Sequence, residues 1–386
     1  MNVALFQRED GRYGVRNRIA VIATVACVNH VVEQIAAEVP GADAYTHAYG
    51  CDQLGFDRAL SEQSLLEMGI HPNQGAALVI GLGCEEIDAA RLCGKIRQSR
   101  SLAEYLIMQE VGGTATTIAR GVEICKEFAA KLRQQQRVSV DVSNLTVAVE
   151  CGGSDFSSGI AANPAVGVFT EKLTKAGGKV VFGETAELMG AEDVLYQRSI
   201  SREVYETIEA AIRRVEDTAL FYKEDLRGTQ PSPGNIAGGL STIEEKSLGG
   251  VCKIGQARIV DAIAFGQRAT KPGVTYVDTP GNDLACTLGL CAAGAQIVIF
   301  TTGRGTPMGF AAAPVFKVTA NHGVYRRMQE NFDLDVSGIL ERKTSVLEEG
   351  EKLWQEILQV AEGKETAAEK LGHREFSLYR ISPILT

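Results

Sequence analysis

The feature that most constrains this chain is a repeated alternation. Short β-branched runs recur, each closed by a glycine-rich or polar turn and followed by a longer helical pattern. RIAVIATV (18–25) precedes HVVEQIAAEV (30–39), and AALVIGLG (76–83) precedes EEIDAARLCGKI (85–96). LTVAVE (145–150), GKVVFGE (178–184) and QIVIFTT (296–302) continue the series of strands. TTIARGVEICKEFAAKLRQQ (116–135) and REVYETIEAAIRRVEDTALFYKE (202–224) are the clearest helices. Continuous apolar strands separated by helices imply parallel sheets covered on both faces. The expected fold is therefore α/β: two Rossmann-like lobes with mostly parallel sheets flanked by helices. The polar QQQR (134–137) places the boundary near 137–143, giving a first lobe over 1–140 and a second over 141–386 that carries the ECGGSD and TTGRGTP loops. GTQPSPGNIAGG (228–239), the richest turn cluster, is expected to be a long functional or inter-lobe loop.

Composition excludes several classes. A net charge of −9 offers no basic footprint for nucleic acid or an anionic membrane surface. No run of about 18 apolar residues occurs, and the N-terminus lacks a signal peptide's apolar core, so the cytoplasm is the default compartment. Nine cysteines, odd in number and widely spread in a large core-forming chain, argue for reduced thiols. No CxxC is present, which disfavours a zinc ribbon. The GLG of 81–83 is not a dinucleotide fingerprint, because Glu86 stands where the third glycine belongs, and this disfavours a nucleotide-dependent oxidoreductase.

Ligands of open parallel sheets bind beyond the carboxyl ends of the strands, so residues there carry most weight. Cys27, Cys51, Cys84, Cys151 and Cys286 end strands or lie beside glycine turns, whereas Cys93 and Cys125 fall inside helical patterns and read as core. Any one cysteine on such a turn is equally read as a small buried residue. The group together suggests a metal site built from Cys51, Cys84, Cys151, Cys286 and His47, with ferrous iron, another divalent ion or an iron–sulfur cluster as occupant. His47, in HAYGC, is the most site-like histidine. In ECGGSDFSSG, Cys151 and Asp155 join His47 as catalytic candidates and Ser154 is a substrate-binding candidate; Ser157 and Ser158 also fit helix N-caps. Arg16 and Asn17, before the first strand, and Thr302 and Arg304, in TTGRGTPMG, are candidate carboxylate-binding groups.

Assembled, these stretches resemble the altronate/galactarate dehydratase family, in its large catalytic region. The matching pieces are DGRYGVRN, ATVAC, HAYGC, GLGCEE, ECGGSD with ANPAVG, SLGG, TPGNDLAC and FTTGRGTP, in family order. The resemblance implies a metal-dependent hydro-lyase that eliminates water from a sugar acid by α-proton abstraction. A carbon–sulfur lyase subunit releasing sulfite from sulfolactate is the alternative, and a non-catalytic scaffold subunit a weaker one. Family members carry a small SAF-type domain before this region. Its absence here leads to the expectation of a separate small SAF-domain subunit beside the hydroxy-acid substrate, with a homo-oligomer left open.

Overall fold

The computed structural model describes residues 1–382. It divides into two compact units: residues 1–3, 141–309 and 314–373 form one, and residues 4–140, 310–313 and the segment from Arg374 onward form the other. Among the described residues no helix is long and apolar enough to cross a membrane.

In the smaller unit β1 (Arg18–Ala23), β2 (Ala42–Tyr45), β3 (Gln74–Gly81) and β4 (Ala103–Ile107) form a sheet of order β2-β1-β3-β4. Every pairing is parallel. Helices α1 (Asn29–Glu38), α2 (Gly55–Gly69), α3 (Ala89–Arg97) and α4 (Thr114–Leu132) connect or cover the strands. Ile19, Val21, Leu78 and Ile80 of the sheet pack with Val32 and Ile35 of α1 and Phe128 of α4. The chain lays β2 on one side of β1 and then crosses to lay β3 on the other, which makes the carboxyl end of β1 a topological switch point.

The larger unit repeats the plan. β5 (Thr146–Cys151), β6 (Lys179–Phe182), β7 (Ile259–Ile263), β8 (Gly273–Val277), β9 (Ile297–Thr301), β10 (Val315–Thr319) and β11 (Leu334–Asp335) form one sheet of order β7-β8-β6-β5-β9-β10-β11. All its pairings are parallel. β5, β9 and β10 are buried along their whole length, even though β5 carries Glu150 and β10 carries Lys317. The principal helices are α5 (Asn163–Lys175), α6 (Arg202–Phe221), α7 (Ile243–Val251), α8 (Asp283–Ala292) and α9 (Val346–Ala361). Sequence order runs outward from β5 through β6 and then returns to its other side at β9, with Thr301 paired to Cys151. The crevice beyond β5 and β9 is thus the switch point, flanked by ECGGSDFSSG and TTGRGTPMG.

Those two loops interlock. The Arg304 N–H donates to the Gly153 carbonyl at 2.9 Å. A β-carbon at Gly303 would lie 2.0 Å from the Asp155 carboxyl, so glycine is needed for close approach. Gly303→Ala is expected to destabilise the chain by about 1–3 kcal/mol through overpacking. Gly94→Ala, in α3 with nothing within 4 Å, is expected to be neutral or stabilising by up to about 1 kcal/mol. Urea unfolding of both variants checks the contrast; equal midpoints would show that the loops do not constrain each other.

Candidate active site

A cavity of about 460 Å³ opens at the carboxyl ends of the central strands of the larger unit. Gly152, Gly153, Arg304, Lys246, Glu187 and Asp283 form its charged and close-packed wall. The 228–239 stretch contributes Gln230, Ser232, Gly234 and Asn235 to the opposite wall. That stretch is not irregular throughout: Ser232 and Asn235 make a reciprocal cap on a short helix, Pro233–Ala237. Asn235 also ties it to the first loop, its Nδ2 donating to the Ser154 carbonyl at 2.8 Å.

Behind the cavity lies a buried charged cluster. Glu150 and Cys151 end β5, and Glu184 follows β6 in a left-handed conformation, φ 65°, that only strain or function explains in a glutamate. The Glu184 N–H donates to Thr279 Oγ1 at 2.8 Å. Lys253, 2% exposed, forms an ion pair with Glu184 and places its Nζ 3.2 Å from Cys151 Sγ. Lys246 pairs with Glu187 at 2.9 Å. Four carboxyls (Glu150, Glu184, Glu187, Asp283) therefore share two ammonium groups. The excess must stay partly protonated, since an uncompensated buried charge is costly. Burial, reinforced by Glu184, pushes Glu150 well above the carboxylate range, and it accepts from Thr287 Oγ1 at 2.7 Å. Burial and then Glu184 likewise push Glu187 up, against Lys246. Asp283 is lifted to about 6 by burial and by Glu187. Its carboxyl rests against Gly152, where a β-carbon would stand 2.6 Å from Oδ2. Burial opposes the Lys253 ammonium but the adjacent Cys151 and Glu184 hold it above its ordinary value. Since burial pushes the Cys151 thiol itself up to about 12, Glu184 is the anion that anchors Lys253.

Cys151, Glu184 and Glu187 offer ligand atoms within 4.8 Å of one another. They do not fit a divalent ion in this arrangement, because the Lys253 ammonium already occupies the place of a cation among them. Of the set expected to share one metal, Cys51, Cys84 and His47 belong to the smaller unit and Cys151 and Cys286 to the larger. Cys286 is fully buried in the first turn of α8 and receives the Thr279 hydroxyl at 3.2 Å.

Several expected site residues serve the loops instead. His47 is buried, its Nε2 2.8 Å from the Ala23 carbonyl and its Nδ1 accepting from the Tyr49 N–H, so both ring nitrogens are engaged. Burial lowers its pKa, so the ring stays neutral. Asp155 is buried and accepts from Ser157 Oγ at 2.6 Å, Ser158 N–H at 3.0 Å and Asn321 Nδ2 at 2.9 Å. It caps the turn rather than facing the cavity. Thr302 Oγ1 accepts from the Gly305 and Thr306 N–H groups, closing the second loop. Arg16 and Asn17 precede β1 and so stand at the amino edge of their sheet, away from its ligand-binding end. Asn17 braces Arg8 at 2.7 Å and the Leu132 carbonyl at 3.0 Å. Ser154 and Arg304 remain at the cavity.

The sequence reading passed over Glu184, Glu187, Lys246, Lys253 and Asp283. Two of these had a local signal. Glu184 ends the run GKVVFGE, and Asp283 follows a glycine turn at a helix start in TPGND, both strand-end positions. Lys246 and Lys253 lie in an ordinary amphipathic stretch, and only tertiary packing brings them to the carboxylates.

Comparison with known proteins agrees with this division of the chain. Residues 142–384 match the family model described as D-galactarate/altronate dehydratase, C-terminal, and residues 5–133 match D-galactarate dehydratase/altronate hydrolase, second domain. The (2R)-sulfolactate sulfo-lyase subunit beta of Chromohalobacter salexigens is 37% identical over 97% of this chain and 96% of that protein. Altronate dehydratase of Bacillus subtilis is 36% identical over 97% of this chain and 77% of its own length. Galactarate dehydratase (L-threo-forming) of Escherichia coli is 31% identical over 98% and 76%, respectively. With both units matched and relatives aligned along nearly its whole length, the chain is a lyase belonging to the D-galactarate/altronate dehydratase family.

Proposed function

We propose that this lyase is a hydro-lyase removing water from a sugar acid of the altronate or galactarate type, and that the cavity at the β5–β9 switch point is where it acts. The observation that carries the reading is the convergence on one wall of two cations, Lys246 and Arg304, with a carboxyl, Asp283, poised to titrate near 6. A hydrogen α to a carboxylate is very weakly acidic, and its removal needs the resulting enediolate stabilised by fixed positive charge. Arg304 and Lys246 bind the substrate carboxylate and bear that developing charge. Ionised Asp283 accepts the α-proton, and the C–H electron pair forms the carbon–carbon double bond as the β-hydroxyl departs. The Glu187–Lys246 pair gives the departing oxygen its proton, so water leaves and the enol product tautomerises to a 2-oxo acid. Acid and base are kept apart by surroundings: both line the cavity, but Glu187 feels Glu184 and is ion-paired with Lys246, whereas Asp283 feels Glu187.

The sulfo-lyase relative makes sulfite release from sulfolactate the competing outcome. The same base and cations serve either leaving group, so the assay is a panel of altronate, galactarate and sulfolactate, read for 2-oxo acid and for sulfite. Because that relative is named a beta subunit, the panel is run with the chain alone and with a small SAF-type partner. Dehydration of a sugar acid supports the reading; exclusive sulfite release replaces it; and no turnover of any substrate, with partner present, overturns it.

Arg304→Lys keeps the charge but loses the planar two-pronged donor. It is expected to lower kcat/KM by roughly ten- to a hundred-fold, the range of about 1–3 kcal/mol for a charge-assisted hydrogen bond. Unchanged kcat/KM would remove Arg304 from the carboxylate site.

Asp283 generates two linked pH effects. As the base it must be ionised, so kcat/KM should rise with pH through a midpoint near 6, and Asp283→Asn should abolish that limb with the activity. Its folded pKa is raised above its ordinary 3.8, so ionisation opposes folding; the penalty is absent at lower pH and complete above about 6. Asp283→Asn should therefore be more stable than the parent at pH 7, with the advantage shrinking as pH falls below 6 and vanishing near 4. Denaturant midpoints across pH measure this, and a constant difference would show that Asp283 ionises without strain.

A further inference from the structure

The cavity at the β5–β9 switch point carries one positive charge that the chain leaves uncompensated. Lys246 and Arg304 are the two cations on its wall. The Lys246 ammonium is nearly buried and already paired with Glu187 at 2.9 Å. Among the described residues the Arg304 side chain has no ion pair or hydrogen bond; only its backbone N–H is engaged, on the Gly153 carbonyl. The other ionisable groups on the wall, Glu187 and Asp283, are carboxyls. One anionic group of a ligand therefore finds a free guanidinium to receive it. A second finds no free cation and two carboxyls, and like charges brought together disfavour binding strongly.

The remaining wall is neutral, and most of its polar atoms are committed. Ser232 Oγ donates to Asn235 Oδ1 at 2.8 Å, and Asn235 Nδ2 donates to the Ser154 carbonyl at 2.8 Å. Gln230 differs. Its Oε1 accepts from Lys246 Nζ at 3.4 Å. An ammonium only donates, so it fixes the amide with its oxygen towards Lys246 and its nitrogen away. Among the described residues no acceptor takes the Nε2 hydrogens, so Gln230 offers the cavity a neutral, oriented donor. Its place along the substrate follows from Lys246. In the reaction proposed above, on which this assignment rests, Lys246 acts with Glu187 at the departing β-oxygen. A donor held beside Lys246 then meets the next oxygen along the chain, the hydroxyl beyond the two reacting carbons. Leu226 and Ile243 supply apolar surface for the carbon faces. We propose that Gln230 is a specificity-determining residue that reads this hydroxyl, and that the site selects a polyhydroxy acid with a single carboxylate over acids carrying two anionic groups. Altronate belongs to the favoured class, galactarate and sulfolactate to the other.

The test is calorimetric binding of altronate, galactarate, sulfolactate and glycerate to the full chain. Glycerate has one carboxylate and no hydroxyl beyond the reacting pair. Altronate is expected to bind at least about ten-fold more tightly than galactarate or sulfolactate. Gln230→Ala should weaken altronate binding roughly three- to ten-fold, the range of one hydrogen bond, and leave glycerate binding unchanged. Gln230→Arg supplies a second free cation and should narrow the preference for altronate over galactarate. Gln230 is partly exposed, so circular dichroism should show both variants folded. Galactarate or sulfolactate binding the parent as tightly as altronate would overturn the proposal. An equal loss for altronate and glycerate in Gln230→Ala would also overturn it, by showing that Gln230 only braces Lys246. Either result leaves the lyase reading standing, whereas binding of none of the four acids would overturn both.

Discussion

The ion pair between Lys253 and Glu184 is the interaction on which the larger unit's site depends. Both partners are almost wholly buried, and Glu184 holds a left-handed backbone conformation at the end of β6. Such a conformation costs on the order of 1–3 kcal/mol in a non-glycine residue and persists only where the surroundings over-determine it. Here they do so from several sides: Lys253 pins the carboxylate, Thr279 takes the Glu184 N–H, and the Cys151 N–H donates to Glu184 Oε1 at 3.2 Å. Removing either charge would leave the other buried and unpaired, a loss of about 3–5 kcal/mol. The carboxyl ends of β5 and β6 are thereby held together by charge, beyond the ladder hydrogen bonds.

That pair also sets the acid–base character of everything in front of it. Because Lys253 is committed to Glu184, Lys246 is the main offset to Glu187 and Asp283. The deficit of positive charge raises the carboxyls without any of them being isolated, which is how two carboxyls acquire different proton affinities at neutral pH. In the proposed reaction the protons are handled by these carboxyls. His47 spends Nδ1 on its own turn and Nε2 on the Ala23 carbonyl at the end of β1, and His322 is an exposed partner of Asp335 at 2.9 Å.

The strands were legible because burial on both faces imposes unbroken apolar runs. RIAVIATV became β1, AALVIGLG β3, LTVAVE β5 and QIVIFTT β9, each shifted by no more than a few residues. Strands lacking such a run were missed: ADAY of β2 is too short and mixed, and AEYLI of β4 is an edge strand with exposed positions. The loops that line the candidate cavity were legible too, since strand-end loops follow from topology. Individual roles were not. Asp155 and Thr302 lie in the correct loops, yet side-chain oxygens on glycine-rich turns are as readily consumed by the turn's own N–H groups as by a ligand. From the sequence, an aspartate that caps a turn and one that faces a cavity look alike; Asp155 accepts from Ser157, Ser158 and Asn321, whereas Asp283 lines the cavity.

The same ambiguity applies to the cysteines that were grouped as a single five-ligand metal set. Strand-end position is a property each sheet supplies separately, and among the described residues two of the three sheets are parallel sheets with a switch point each. At one of them the thiol is buried, protonated and set beside an ammonium that hard carboxylates hold in place. At the other, three thiols are exposed on loops organised by Glu85, whose oxygens are taken up by backbone N–H groups and a threonine. An ammonium–carboxylate pocket suits the hard oxygens of a hydroxy acid. Spacing along the sequence treats both cysteine environments alike; burial and the neighbouring charged groups separate them.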